Sequence, residues 1–495
     1  MSLGRVVRGG FWLYVGSLLT SFLGFIYWLI ASNFVPPSVI GPAAAIMSMQ
    51  SLLTTVFSFG LPSGLQRFVG LCKGKNDYQH LSEYFFTAIT FAFSVSVVIA
   101  LSLFISSFTS FSIFSLGQTE LSFVAILIFF GSWQSVFFSL FNSILRTEAT
   151  ARAQAVSAFA RILVGIPLLY FGFEFFGVVL GLIVASVVSD ALIIFYAARI
   201  LRGFKVKFGV HLPHLKDLLE AGLPSWVPSV LAILGISAGV LGVYDVVGGT
   251  GTGLYYIAFA ISMIVYSISS SILGLMFPVL SSMEDGRKRA VSRIMGLALA
   301  VTVPLASALA IYPYLPLSLL GPGYIEASTI LTILALGAII SPIITGYQSY
   351  VYAIGKYLHV TLIGLAANVG MLILYVLLIP SFDGVGAATA YTLGNVINLV
   401  AVSLSAHRTG YRLDWSHYAK AIVIPGMFAV PLYVLNIHWI IGIPVILLVS
   451  AFAYARLHIV SKSDILEMSQ AFMSEEQVSK MRAFANPIIR FMFGE

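Results

Sequence analysis

Charge is scarce in this sequence, and basic charge is missing altogether from half of its loops. Asp, Glu, Lys and Arg make up 9% of the 495 residues, against about 25% in soluble domains. An ordinary solvated surface is thereby excluded. Cysteine occurs once, at Cys72, so no intrachain disulfide can form and no cysteine metal cluster is expected. The sequence contains no Walker-type phosphate loop, so ATP hydrolysis by the chain itself is not expected. It also lacks any Asn-x-Ser/Thr triplet, which points away from a glycosylated eukaryotic protein. The basic excess of 26 over 19 acidic residues gives +7. In a chain that is 59% hydrophobic this reads as loops facing anionic headgroups rather than as a nucleic-acid surface.

What the sequence has in quantity is long apolar runs. A spanning helix needs about 20 apolar residues, and fourteen segments qualify: 10–32, 41–65, 83–107, 121–145, 153–173, 177–199, 221–242, 252–280, 293–312, 327–353, 358–379, 384–406, 417–436 and 439–459. When sides are alternated along the chain, every Lys and Arg falls on one side, in loops, at helix ends or in the tail. The opposite loops carry only Glu120, Glu174, Asp245, Glu326 and Asp383. Lys and Arg resist translocation and stay cytoplasmic. The expectation is an all-α polytopic membrane protein with about fourteen transmembrane helices and both termini in the cytosol. Arg5 and Arg8 precede the first run as in a signal peptide, but that run is long enough to span and shows no clear small-residue cleavage site. It reads as a retained first helix.

The chain divides into a six-helix half at 1–200, a cytoplasmic linker at 201–220, a second six-helix half at 221–406, two further helices within 407–460 and a polar cytoplasmic tail at 461–495. The linker carries Arg202, Lys205, Lys207, His211, Pro213, His214 and Lys216 and reads as an amphipathic interfacial segment. His211-x-x-His214 has metal-like spacing, but Pro213 interrupts it and no acid is close in sequence, so a solvated loop is the expectation. A weak internal repeat runs through the halves. A shift of 207 places Gly177 on Gly384, each opening a helix after an acidic loop, and sets Gln154, Ser157 and Arg161 on Thr361, Gly364 and Asn368. A shift of 212 sets Gly41 on Gly253. Six helices repeated in the same orientation form a parallel repeat, and transporters built this way bind substrate between their halves and rock one against the other.

Three segments resemble one family. Phe59-Gly60-Leu61-Pro62-Ser63-Gly64-Leu65-Gln66-Arg67-Phe68-Val69 is similar to its glycine–leucine followed by arginine–phenylalanine at the end of helix two. Leu145-Arg146-Thr147-Glu148-Ala149-Thr150-Ala151-Arg152 is similar to its connection between helices four and five, although relatives often carry a basic or glycine-rich step where this chain has Thr-Glu-Ala-Thr-Ala. Ala221-Gly222-Leu223-Pro224 resembles the glycine–leucine–proline that opens the second half. With the six-plus-six-plus-two order, the chain resembles the polysaccharide-exporter branch of the multidrug/oligosaccharidyl-lipid/polysaccharide exporter superfamily. That resemblance implies a flippase moving a lipid-linked oligosaccharide from the cytoplasmic to the outer leaflet of a prokaryotic plasma membrane. The product would feed cell-surface polysaccharide or glycan assembly, with glycan-assembly enzymes as partners.

A polyprenyl-diphosphate sugar cannot cross hydrocarbon without a wet polar cavity, and its diphosphate asks for arginine, whose planar fork holds two phosphate oxygens. Arg161 is the first candidate. It sits about nine residues into predicted helix five, about 12 Å along it, with Gln154 and Ser157 on the same face. An ionisable residue at that depth is a functional-site hypothesis; snorkelling to the headgroups is its bland alternative. Asp190 is the one acid clearly inside a predicted span and reaches a similar depth in helix six. It reads either as a coupling carboxylate for protons or sodium or as a structural ion pair with Arg161, the second slightly favoured. Arg67, Arg146 and Arg152 at helix ends read first as interfacial anchors and second as a funnel for the diphosphate. The intramembrane amides Gln50, Gln134, Asn142, Gln348, Asn368, Asn395 and Asn398 are candidates to line a cavity, with interhelical hydrogen bonding as the alternative for each.

Two other functions compete with the flippase. A cation-coupled exporter of small molecules from the sister branch would usually have twelve helices and more acids. A polyprenyl-donor glycosyltransferase would need acidic residues in a sizeable external loop, which this chain lacks. The expectation is a transporter rather than an enzyme, without a cofactor or a metal site. A proton gradient, a sodium gradient, the membrane potential and mass action all fit as driving forces.

Overall fold

The computed structural model describes residues 22–109, 114–203, 209–274, 286–457 and 459–460. Among them every regular element is helical. The helices are α1 (Phe22–Ala31), α2 (Pro37–Val56), α3 (Leu61–Gly74), α4 (Tyr78–Ser107), α5 (Gln118–Gly131), α6 (Gln134–Ser143), α7 (Thr147–Tyr170), α8 (Glu174–Gly203), α9 (Leu212–Val247) and α10 (Gly249–Gly274). They continue as α11 (Arg287–Ile311), α12 (Tyr314–Ser318), α13 (Ser328–Ala338), α14 (Ser341–Ala353), α15 (Tyr357–Thr409), α16 (Trp415–Val434) and α17 (Trp439–Arg456). Among the described residues eleven helices are long and apolar enough to cross a bilayer, and a bent pair of shorter ones makes a twelfth candidate. The protein is a multi-pass membrane protein. The start of the first predicted span, the middle of the linker, the end of the 252–280 span and the tail from 461 lie outside the described residues.

Helix boundaries differ from the hydropathy reading for physical reasons. α7 begins at Thr147, six residues before the predicted span, because its first turns are polar and hydropathy registers only the apolar part. Predicted span 41–65 is broken after Val56, where Phe59 and Gly60 take φ of 47° and 72°. The Thr55 carbonyl, which also accepts from Ser58 Oγ at 2.8 Å, and the Val56 carbonyl both accept from the Trp226 indole N–H, at 3.1 and 3.0 Å. Predicted spans 358–379 and 384–406 are the two helical stretches of α15, which breaks at a kink on Asp383, at φ 52° and ψ −134°. Glu174, the acid at the matching loop of the first half, also has positive φ, at 39°.

Contacts group the chain differently from the linear halves. One unit comprises residues 1–260, 317–327 and 368–391; the other comprises 261–316, 328–367 and 392–495. In the first unit, α2 and α3 pack along α9 and the start of α10 at backbone distance. A Cβ on Gly41 would lie 1.9 Å from the Gly249 carbonyl oxygen, and one on Gly253 would lie 2.0 Å from that of Pro37. The shift of 212 that sets Gly41 on Gly253 also sets Pro37 on Gly249. The two contacts are therefore reciprocal, as a local two-fold axis between repeats requires. Further along the same seam, Gly60 and Gly222 meet with Cβ positions 2.3 and 2.1 Å from each other's carbonyl oxygens, and Gly64 lies over Leu218. Only glycine fits at such approaches.

The start of α9 is tied to α4. The His211 backbone N–H donates to Thr87 Oγ1 at 3.0 Å, His214 Nε2 lies 3.2 Å from Glu83 Oε2, and the Tyr84 hydroxyl donates to Asp217 Oδ2 at 3.0 Å. The expected solvated loop is instead the packed first turns of a helix, and Pro213 begins that helix rather than breaking it. Asp77 caps α4 by accepting the His80 N–H at 3.2 Å, which holds its carboxyl below the ordinary value. The cap is complete above the ordinary carboxylate pKa and is lost as pH falls through the lowered one.

In the second unit the two helices beyond the repeat, α16 and α17, pack on α11. Tyr312 donates to the Ile437 carbonyl at 3.0 Å and lies directly over Gly442. A buried core of Tyr347, Tyr350, Tyr411, Tyr418 and Tyr454 surrounds Met295 and joins α11, α14, α15, α16 and α17.

Candidate functional site

Within the first unit, α1, α6, α7 and α8 line an open pocket of about 250 Å³. Gln154, Ser157 and Arg161 of α7 face it together, joined by Gln134 of α6 and by Ser186 and Ser189 of α8. The polar stripe of α7 at i, i+3 and i+7 thus lines one wall, as its helical spacing dictates. Gly24 of α1 also borders the cavity, and a Cβ there would meet nothing. With α7 starting at Thr147, Arg161 lies fourteen residues in, about 21 Å along the axis. The six added residues are the polar first turns of the helix, so Arg161 keeps its place relative to the apolar part of α7.

Arg161 is held by aromatic rings. Its guanidinium carbon lies 3.8 Å from the Tyr27 ring centre and 4.9 Å from that of Trp28, and Trp28 in turn meets Tyr256 edge-on at 5.4 Å. Such cation–π contacts contribute about 2 kcal/mol or more when desolvated. Tyr27 reaches this position by crossing Gly165, where a Cβ would lie 2.9 Å from its ring, and Gly165 itself backs onto Gly181 of α8. Two glycines thus bring α1, α7 and α8 together around one arginine. Arg161 Nε and Nη2 are buried without a hydrogen-bond partner among the described residues. The rings fix the guanidinium while leaving donor capacity unspent, which is the condition for taking an anionic ligand.

Asp190 does not pair with Arg161. Its Oδ1 accepts from the Gln134 amide at 2.7 Å, and the Gln134 carbonyl oxygen accepts from Ser189 at 3.3 Å. Asp190 is only 5% exposed, and its Oδ2 has no partner among the described residues. Gln134 is available because the predicted fourth span breaks at Ser132–Trp133 and α6 restarts at Gln134. Gln134→Leu removes the carboxylate's one donor and is expected to lower stability by about 1–3 kcal/mol, whereas Asp190→Asn keeps an amide partner there and costs less. Thermal unfolding in detergent measures both. Equal melting temperatures for Gln134→Leu and wild type would mean that the bond has no structural role.

The other candidates lie elsewhere. Arg67, Arg146 and Arg152 are exposed, and Arg146 makes a loose pair with Glu148 at 3.9 Å. Lys73 donates to the Ile144 carbonyl and staples α3 to the end of α6. Asn142, on α6, is half-buried with its Oδ1 unpartnered among the described residues. Asn368, the repeat counterpart of Arg161, lies over Gly235 of α9, as Arg161 lies on α1. Asn395 donates to the Tyr266 hydroxyl at 3.1 Å in the other unit. Tyr27, Trp28 and Tyr256 were not singled out by sequence, whereas Gln134 was among the amides expected to line a cavity. An aromatic in an apolar helix is indistinguishable from core, and only its proximity to Arg161 gives it a role. Among the described residues no group of three or more His, Cys, Asp and Glu could hold a metal ion.

Residues 6–284 match the sequence model of a family described as polysaccharide biosynthesis protein. No curated protein sequence matches the chain. Among solved structures, a lipid II flippase MurJ in an inward closed conformation superposes with a TM-score of 0.75 at 14% identity, covering 90% of this chain and 99% of that one. An inward-facing multidrug resistance MATE family transporter of the MOP superfamily superposes with a TM-score of 0.56 at 16% identity, covering 82% and 95%. The eukaryotic MATE transporter AtDTX14 gives 0.56 at 15% identity, covering 84% and 99%. The chain therefore shares the fold of these proteins.

Proposed function

The chain belongs to the polysaccharide biosynthesis protein family, and from that premise we propose that it is a flippase for a lipid-linked, polyprenyl-diphosphate oligosaccharide. It carries the headgroup from the cytoplasmic to the outer leaflet of a prokaryotic plasma membrane by alternating access. The observation that carries this reading is the cavity around Arg161. A guanidinium held by aromatic rings borders a pocket where Gln134, Gln154, Ser157, Ser186 and Ser189 alternate with apolar side chains such as Leu23, Phe138 and Leu182. Arginine suits the diphosphate, and the amides and serines suit sugar hydroxyls. At about 250 Å³ the pocket takes the diphosphate and the adjoining sugar rather than a whole oligosaccharide. The exposed Arg67, Arg146 and Arg152 form the cytoplasmic approach, in an orientation with the basic loops inside.

Asp190 is the coupling site in this reading. Its buried, half-satisfied carboxylate is a place for a proton or a sodium ion whose presence biases one state against the other. The same acid, together with the fold shared with MATE transporters, also supports the second reading of a cation-coupled small-molecule exporter.

Ligand-induced stabilisation separates the two. A polyprenyl-diphosphate sugar at a hundred times its dissociation constant is expected to stabilise the purified protein by about 2.7 kcal/mol, whereas its dephosphorylated analogue and a cationic dye are not. Stabilisation by the dye and not by the lipid would replace the flippase with the exporter.

A further inference from the structure

We propose that an apolar groove between α4 and α8 binds one anionic phospholipid, with an acyl chain in the groove and the headgroup phosphate on Arg202. The groove has a volume of about 550 Å³ and shares no lining residue with the Arg161 cavity. Its walls are Phe86 and Ile89 of α4 and Ile194 and Ala198 of α8, and its floor is Phe137 of α6. The volume falls within the roughly 300–1,000 Å³ of small-ligand sites.

Arg202 stands at one end of this groove, exposed, in the last turn of α8. It makes no ion pair among the described residues. Ile194 lies eight residues earlier, about 12 Å down the helix. Charge at the helix end and apolar walls running inward are the layout of a lipid, with the headgroup at the interface and the chain in hydrocarbon. Glu83, the acid of α4, is engaged by His214 at 3.2 Å. A groove with these walls offers water no adequate set of polar partners, and left empty it would forfeit dispersion contacts on every wall. A membrane chain is what remains to fill it. The single guanidinium selects the occupant, because basic groups at the helix end favour anionic over zwitterionic headgroups.

Native mass spectrometry of the purified chain, offered equimolar phosphatidylglycerol and phosphatidylcholine, tests this directly. The wild type is expected to retain one phosphatidylglycerol per chain, with about fivefold preference over phosphatidylcholine. Arg202→Glu is expected to lose the preference, Arg202→Lys to keep it, and Ala198→Trp to lose the retained lipid because the indole fills the groove. Melting temperature and monodispersity check that each variant is folded. No headgroup preference in the wild type, or undiminished retention in Ala198→Trp, would overturn the proposal. So would a polyprenyl phosphate that displaces phosphatidylglycerol from the wild type but does not bind Ala198→Trp, since the groove would then belong to the carrier lipid.

Discussion

Arg161→Ala is expected to reduce oligosaccharide translocation at least about thirtyfold while leaving membrane insertion intact. The magnitude follows from the contact proposed: removing one partner of a buried, hydrogen-bonded charge pair costs about 2–5 kcal/mol, and the lower figure corresponds to a factor of about thirty. Arg161→Lys separates the possible roles. Lysine retains the charge and sits against Tyr27 and Trp28, but it cannot offer the planar fork. If Arg161 recognises a diphosphate, the lysine variant keeps its melting temperature and still transports poorly. If the arginine merely braces α1 against α7 through the ring contacts, the lysine variant transports like wild type and only the alanine variant loses stability. Uptake in proteoliposomes and thermal unfolding, measured on both variants, distinguish the outcomes.

The second large effect is expected at the glycine seam, where Gly222→Val and Gly253→Val should trap opposite states. The seam is closed at both ends: Gly41 and Pro37 meet Gly249 and Gly253 at one, and Gly60 and Gly64 meet Gly222 and Leu218 at the other. Gly41 to Val56 is fifteen residues of helix, roughly 22 Å, and Gly60 lies beyond the break that follows. A Cβ at 222 or at 253 would lie 2.1 or 2.0 Å from a carbonyl oxygen of the facing segment, so either end can be wedged open alone. Overpacking of this kind costs about 1–3 kcal/mol, enough to shift a two-state equilibrium about 5–150-fold. A cysteine at Gln50, midway along α2, in a Cys72→Ser background reports the state through an impermeant maleimide. Gly222→Val should speed labelling from the cytoplasmic side and Gly253→Val from the outer side. Equal acceleration from one side in both variants would mean that the two ends do not act as separate gates.

Much of the fold was legible because bilayer physics writes it into composition. The apolar runs gave helices at their predicted places, and the repeat seen as Gly41 over Gly253 reappears as reciprocal backbone contacts. What hydropathy misses is where a helix continues into polar sequence or stops within apolar sequence. α7 starts at Thr147 because its polar first turns form helix outside the apolar stretch that hydropathy registers. The break at Phe59–Gly60 lies inside a segment whose overall hydropathy hides Ser58, Gly60 and Pro62, and the Trp226 indole that helps hold it comes from α9. The polar stripe on α7 was visible by periodicity. The bond from Gln134 to Asp190 joins residues 56 positions apart, and no local pattern predicts it. Depth alone suggested a pair between Arg161 and Asp190. Depth does not give the facing angle, and the carboxylate turns to an amide instead.

The most direct test of the account is transbilayer movement itself. Purified protein in proteoliposomes would receive a polyprenyl-diphosphate oligosaccharide confined to one leaflet, with a lectin on the other side reporting arrival. The account predicts arrival well above that of empty liposomes without ATP, abolished by Arg161→Ala. Arrival no faster than in empty liposomes, across several sugar lengths and under both imposed proton and sodium gradients, would contradict it.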